Sequence, residues 1–277
     1  MKLPFEVDLN GKVAVVTGGS GVIGSDFCRA LAACGANVAV LGRSKEKTGK
    51  LADELGGKGA GFAVDVVDLE SLKTAKDDIL KLWGKIDILI NCAGGNNPVA
   101  TTDDEQYSKE AKGLQDFFHL DPKGVQQVFD LNFLGTLLPT QVFAGELLKQ
   151  EGSCIVNMSS MGAYLPLTKV GTYSAAKAAV TNFTQWLATY FAKAGVRVNA
   201  IAPGFFVTAQ NKSLLFNEDG KPTARTGKIL AATPMGRFGE PEELIGTLLY
   251  LVSKEASGLI TGVVIPVDGG YTCYSGV

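Results

Sequence analysis

The chain has 277 residues, 46% of them hydrophobic and 19% charged, with a net charge of −2 at pH 7. That composition excludes disorder as the main state, and a pI near 5.6 offers no footing for nucleic acid or an anionic membrane surface. The length suits a single α/β domain that needs no covalent staples, and no run of roughly eighteen apolar residues is present to span a bilayer.

Taken in order, apolar β-rich runs at 13–16, 37–41, 61–64, 86–90, 154–158, 197–201 and 263–267 predict seven short strands. Helical patterns lie between them, near 22–34, 45–55, 68–83, 121–149, 171–194 and 241–253. Near-continuous apolar strands joined by helices imply a parallel sheet covered on both faces. No repeat, low-complexity tract or linker interrupts the pattern. The expected fold is α/β, a Rossmann-type doubly wound sheet of seven parallel strands in one domain spanning 1–277.

The first strand runs into Thr17, Gly18, Gly19, Ser20, Gly21, Val22, Ile23 and Gly24. A glycine-rich turn between a strand and a helix lets backbone approach a pyrophosphate, and the helix start offers free N–H groups to it. A tight turn with no ligand is the bland alternative. The candidate cofactor contacts here are Gly18, Ser20, Gly21, Val22 and Ile23.

The second strand ends at Leu41, Gly42, Arg43 and Ser44. An acid at this place would hold a ribose 2′-hydroxyl, and an arginine suits a 2′-phosphate. Gly42 stands where the acid would be and Arg43 follows it, which tilts the expectation to NADP(H). A solvated loop arginine is the competing reading. Ser44 is a candidate N-cap. Asp65, with Val66 beside it, ends the third strand and is a candidate for the adenine amino group. The fourth strand leads into Asn91, Ala93 and Gly94, where small residues leave room for a ligand.

Residues 95–120 are polar and irregular, a length of loop that is usually functional. Asp121 and Pro122 look like an N-cap followed by proline at the first helical position. Asn132 then sits in a helical stretch, where a buried asparagine needs partners. Tyr173 and Lys177 are four apart, one helical turn on one face. An ammonium beside a phenol favours the phenolate, so Lys177 is expected to lower the Tyr173 pKa toward working pH for general acid–base chemistry. Ser160, at the end of the fifth strand, would aim its hydroxyl at the same point. Taken alone, the Tyr-x-x-x-Lys spacing reads as a surface helix pair. Pro203 and Gly204 follow the sixth strand and open a stretch with little regular pattern, 209–239. Its positive balance, with Lys212, Lys221, Arg225, Lys228 and Arg237 against Glu218 and Asp219, suits a flap at about 205–239 over an anionic substrate.

Five cysteines without patterned spacing read as reduced thiols, and with no apolar targeting segment among the first eight residues the expected compartment is the cytoplasm. A lone histidine, His119, gives no basis for a multi-histidine metal site or a Ser-His-Asp triad.

Thr17-Gly18 with Gly24, Asn91-x-Ala93-Gly94, Asn132, Ser160, Tyr173-x-x-x-Lys177, Pro203-Gly204 and the ending Val267-Asp268-Gly269-Gly270 together resemble the short-chain dehydrogenase/reductases. The resemblance covers nearly the whole chain. Two features depart from it: Val22 stands where the family's fingerprint has glycine, and the long span from Asn91 to Asn132 marks 95–120 as an insertion. Within the family, the stretches 93–98, 130–139, 203–206 and 233–241 are most similar to the branch acting on the sugar acids D-fructuronate and D-mannonate, with gluconate and other polyol dehydrogenases close behind.

The resemblance implies that Tyr173 is the acid or base, that Lys177 tunes it and binds the nicotinamide ribose, and that Ser160 holds the substrate oxygen. It also implies that Asn132 positions a water linking Lys177 to solvent for proton exchange, that the Phe206 backbone and Thr208 orient the nicotinamide carboxamide, and that the protein is a homotetramer. The branch implies NAD(H) where Arg43 points to NADP(H), and both stay open here, NADP(H) slightly ahead. Position and charge make Asn96, Asn97, Gln210, Asn211, Arg225 and Lys228 candidate contacts for the sugar-acid substrate. A neutral polyol, a ketoacyl thioester, or a nucleotide-binding protein without turnover are the alternatives.

Overall fold

The computed structural model describes residues 6–110, 115–207 and 215–276. Seven strands form one parallel sheet: β1 (Val13–Thr17), β2 (Asn37–Gly42), β3 (Gly59–Ala63), β4 (Ile88–Asn91), β5 (Cys154–Met158), β6 (Arg197–Pro203) and β7 (Val264–Val267). Their order is β3-β2-β1-β4-β5-β6-β7, so the winding reverses between β1 and β4. A ligand crevice opens at the carboxyl ends of strands beside such a reversal. Thr17 and Asn91 are register partners there. The Thr17 hydroxyl accepts from the N–H groups of Cys92 at 3.1 Å and Ala93 at 3.2 Å, which fixes the chain leaving β4.

Alternation along the strands divides the core into two layers. Ala14, Val16, Val38, Val40, Ile88, Ile90 and Val156 meet Phe27 and Leu31 of α1 (Val22–Ala33). The same layer takes Leu248 and Leu251 of a late helix, Ile245–Val252. On the other face, Val13, Val15, Ala39, Leu89 and Ile155 pack on Leu72 and Ile79 of α3 (Leu69–Trp83). Phe143 of α5 (Gly135–Leu147) and Leu187 of α6 (Gly171–Phe191) complete that face. Each fully buried leucine or phenylalanine contributes roughly 1.5–3 kcal/mol.

The caps follow the sequence. Ser44 accepts from the Lys47 N–H at the start of α2 (Lys45–Glu54). Asp68 caps α3, and Asp121 caps α4 (Pro122–Phe129) with proline at its first turn. The stretch predicted as one helix over 121–149 is α4 and α5 joined by a π turn, Asp130–Leu134. Pro139 lies inside α5 and removes one backbone donor from the helix ladder.

One expectation needs correction. The stretch 209–239, read as having little regular pattern, carries a helix, α7 (Ala224–Ala231), capped by the Thr223 hydroxyl at the Thr226 N–H. Eight residues, with Arg225 and Lys228 among them and no acid, give too short a window for its apolar side, Ile229 and Leu230, to stand out. The chain ends with α8 (Ile245–Val252), α9 (Lys254–Ser257) and β7. Among the described residues of 95–120 the regular structure is two short turns, Pro98–Ala100 and Phe117–His119. Among the described residues no helix is long and apolar enough to cross a membrane.

Candidate active site

A crevice of about 1160 Å³ opens at the carboxyl ends of the strands. One end is formed by the β1–α1 turn. The Gly21 cap of α1 makes no side-chain bond to the helix start, so the N–H groups of the first turn are left for a ligand. Space there is tight. A side chain at Gly24 would collide with the Gly18 carbonyl, and one at Gly18 would come within 2.9 Å of Ala93. The turn therefore keeps its backbone-lined cradle although Val22 replaces the expected glycine. Gly18, Ser20, Gly21, Val22, Ile23, Arg43, Asp65, Val66, Ala93, Gly94, Pro203, Gly204 and Phe206 all line the crevice. An elongated, backbone-lined groove with this donor set fits a dinucleotide.

At the β2 end, a Cβ on Gly42 would sit 2.8 Å from the Ser20 hydroxyl oxygen. That closes the position where a ribose-binding acid would stand. Arg43, Ser44 and Lys47 face the crevice beside it. Lys47 escaped the sequence reading. Its signal was its place one turn into α2, three after the cap. Asp65 lines the crevice and also accepts from the Val67 N–H at 3.1 Å, so it serves as a loop cap as well.

Asn91 differs from expectation. Its amide turns into the core, donating to the hydroxyl of Thr140 at 3.0 Å and to Asn157 at 2.9 Å. At 1% exposure it stands beneath the crevice, and the small residues after it, Ala93, Gly94 and Gly95, are the ones that line it.

Ser160, Tyr173 and Lys177 meet at the crevice floor. The end of β5 places Ser160, whose oxygen accepts from the Gly162 N–H at 3.1 Å. The fourfold spacing on α6 stacks the other two, with the Lys177 ammonium 5.7 Å from the Tyr173 ring centre. Lys177 donates to the Met158 carbonyl at 2.8 Å. Asn132, fully buried, lies behind Gly94 and Gly95. Its amide donates to the Gly95 and Val128 carbonyls at 2.7 and 2.8 Å, and its oxygen accepts from the Gly95 N–H at 3.2 Å. A Cβ on Gly94 would lie 2.9 Å from that oxygen and 3.0 Å from the Lys177 ammonium, so these two groups take up the space a side chain would need there.

The electrostatics correct one expectation. The Tyr173 phenol is raised, not lowered: burial disfavours the phenolate, and the Ser160 hydrogen bond opposes this only in part. Burial also pushes the Lys177 ammonium down to about 8. Cys92 in the same pocket is pushed up to about 12 by burial and is an inert thiol at neutral pH.

Among the substrate candidates, Asn96 and Asn97 line the crevice, although their amides already donate to Thr101 at 3.0 Å and Gln127 at 2.7 Å. Arg225 and Lys228 are not on the crevice wall. Lys228 pairs with Glu105 of the insertion at 2.8 Å. Thr208, Gln210 and Asn211 lie outside the described residues. Phe205, missed in the sequence, lines the crevice and packs edge-on against Tyr271.

Fold and site define an oxidoreductase of the nicotinamide-dependent Rossmann class. The profile described as enoyl-(acyl carrier protein) reductase matches residues 19–272. An uncharacterized oxidoreductase of Bacillus subtilis (strain 168) is 52% identical over 99% of this chain and 100% of its own length. A D-threitol dehydrogenase of Mycolicibacterium smegmatis is 34% identical over 98% of this chain and 97% of its own. A crystal structure with bound NAD, from Haemophilus influenza, superposes with a TM-score of 0.96 at 50% identity and covers both chains fully; that protein carries a provisional assignment as a D-mannonate oxidoreductase. The chain belongs to the short-chain dehydrogenase/reductase family and is an NAD(P)-dependent oxidoreductase acting on hydroxyl and keto groups.

Proposed function

We propose that the enzyme interconverts the hydroxyl and keto forms of a sugar acid, D-mannonate and D-fructuronate. The observation that carries the chemistry is the convergence of Ser160, Tyr173 and Lys177 at the crevice floor with Asn132 behind Gly94 and Gly95. The substrate class is supported by similarity to the Haemophilus protein, and a polyhydroxylated substrate by the threitol dehydrogenase.

When bound, the nicotinamide supplies or accepts the hydride. In reduction, the protonated Tyr173 phenol gives its proton to the carbonyl oxygen. The Ser160 hydroxyl donates to the same oxygen as charge develops on it. The Lys177 ammonium favours the phenolate left behind, and Asn132 holds the loop at Gly95 and a water for proton exchange. In oxidation Tyr173 works as the base.

For the cofactor, the closed Gly42 position with Arg43 and Lys47 beside it supports NADP(H). The NAD held by the Haemophilus relative supports the second reading, NAD(H). The homotetramer reading is supported by α6, where exposed Trp186 and Tyr190 stack on one another and Trp186 also stacks on half-buried Phe183.

The deciding experiment is the initial rate of D-fructuronate reduction with NADH and NADPH in parallel, beside gluconate-type substrates and Tyr173→Phe. Turnover lost in the variant supports the reading, and the rate ratio assigns the cofactor. Oxidation of some other polyol with no fructuronate turnover overturns the substrate.

A further inference from the structure

Asn91 and Asn157 are register partners on β4 and β5. Both project into the layer that α3, α5 and α6 cover, where Leu89 and Ile155 precede them with apolar side chains. Two polar side chains in that layer need a reason, because buried amides stabilise no better than well-packed aliphatic groups and cost free energy when unpaired.

Their hydrogen bonds tie α5, β4, β5 and α6 together, with the Asn91 side-chain oxygen left unpaired among the described residues. The Thr184 hydroxyl on α6 accepts from the Asn157 amide at 2.9 Å and donates to the Val180 carbonyl at 2.8 Å. Asn157 accepts from Asn91 at 2.9 Å, and Asn91 also donates to the Thr140 hydroxyl on α5 at 3.0 Å. The Thr140 hydroxyl donates to the Thr136 carbonyl at 2.7 Å, and the Thr136 hydroxyl donates to the Asn132 carbonyl at 2.9 Å. The Asn132 amide in turn bonds to Gly95, back at the end of β4. Thr184, Asn157, Asn91 and Thr140 are each at most 3% exposed.

The four side chains stand on the four elements that hold the site. Helix α6 carries Tyr173 and Lys177. Strand β5 leads to Ser160. Strand β4 leads to Gly94 and Gly95, and α5 follows the π turn that carries Asn132. We infer that Thr184, Asn157, Asn91 and Thr140 are positioning residues, a buried brace that fixes the depth of α6 and of the π turn against the strands. Apolar packing tolerates sliding of a helix by fractions of an ångström. Directional bonds to two neighbouring strands do not. A displacement of about 1 Å between catalytic groups is enough to lower turnover about a hundredfold.

This inference rests on the catalytic roles proposed above for Tyr173, Lys177, Ser160 and Asn132. The test uses the full-length enzyme with Thr184→Val, Thr140→Val, the double variant, Thr184→Ser and Tyr173→Phe. Rates are measured with D-fructuronate or the best-turned-over sugar acid or polyol. Valine keeps the shape and removes the hydroxyl. Expected in each valine variant are a kcat lowered at least about tenfold, a cofactor KM within about twofold of wild type and a displaced pH profile; serine at 184 restores kcat. The double variant is expected to be little worse than the poorer single one, as for groups acting as a unit.

Hydrogen exchange of the Gly95 amide supplies a substrate-free readout and is expected to accelerate in Thr140→Val. Wild-type kcat and pH profile in both valine variants, strictly additive losses, or unchanged Gly95 exchange would overturn the brace. Where a valine variant fails to fold, Thr184→Ser decides: normal kcat and exchange support the brace, and a defect equal to that of an apolar core variant sinks it. Activity surviving in Tyr173→Phe instead overturns the functional reading, which separates the two failures.

Discussion

Lys177 lies one turn along α6 from Tyr173, its ammonium 5.7 Å from the ring centre and 2.8 Å from the Met158 carbonyl oxygen. The pair is desolvated together. The phenol is raised by burial and the ammonium lowered to about 8, so at neutral pH the free enzyme keeps Tyr173 protonated.

The first prediction concerns pH and direction. A raised phenol is a ready proton donor, so reduction should hold its rate across neutral pH and fall as Tyr173 ionises. Oxidation needs the phenolate and should rise toward alkaline pH. Tyr173→Phe should lower both by roughly 10²–10⁴-fold, the usual range for a positioned acid–base group. Rate profiles in both directions from pH 6 to 10 check this. Parallel profiles for the two directions would mean that another group carries the proton.

The second concerns stability. Lys177 has a folded pKa near 8, below its ordinary 10.5. Below pH 8 both folded and unfolded states bind the proton, and burial penalises the fold fully. Between 8 and 10.5 the unfolded chain binds the proton and the folded one does not, so this group's contribution rises with pH through that window. Lys177→Met should therefore be more stable than wild type near pH 7, by on the order of 3 kcal/mol at most, less the lost bond to Met158. The difference should shrink as pH climbs past 8. Denaturant melts of both proteins at pH 7 and pH 10 provide the comparison.

Much of this was legible in the sequence because it is periodic or local. Strand runs such as Val13–Thr17 and caps such as Ser44 and Asp121 are set by neighbours a few residues away. The Tyr173–Lys177 contact follows from helix geometry alone. What escaped depends on the rest of the fold. The direction of the Tyr173 shift is a matter of burial, which spacing does not report. The inward turn of Asn91 depends on Thr140 and Asn157, 49 and 66 residues away. Helix α7 was too short to show a period, and the pairing of Lys228 with Glu105 spans 123 residues.

The third prediction tests the cofactor end. Arg43 is exposed at the crevice edge, and Lys47 lies next to it. Under the NADP(H) reading, Arg43→Ala and Lys47→Ala should each raise the KM for NADPH about tenfold, equivalent to ~1.4 kcal/mol, and leave that for NADH nearly unchanged. Installing the acid directly should fail. Gly42→Asp places a Cβ 2.8 Å from the Ser20 oxygen, so it should weaken both cofactors until Ser20→Gly is added. Equal KM changes for the two cofactors in the Arg43 variant would remove the argument for a phosphate site.

The fourth concerns the insertion. Glu105 is paired with Lys228 at 2.8 Å, and Lys169 and Arg225 also hold its carboxyl below the usual carboxylate range. Lys169 comes from the loop before Tyr173, where its carbonyl accepts from the Thr102 N–H of the insertion at 2.9 Å. Three cations, Lys169 ahead of α6 and Arg225 and Lys228 together on α7, thus act on one carboxylate, and a sugar-acid carboxylate would compete with Glu105 for them. Glu105→Gln frees that charge and should lower the KM for an acidic substrate severalfold, while a neutral polyol keeps its value. Arg225→Ala should act in the opposite sense on the acid alone. Both effects should fade with added salt, since surface charges separated by more than about 8–10 Å are screened near physiological ionic strength. Steady-state kinetics on one acidic and one neutral substrate at low and high salt make the comparison. Identical changes for the two substrates would show that Glu105 merely ties the insertion to α7.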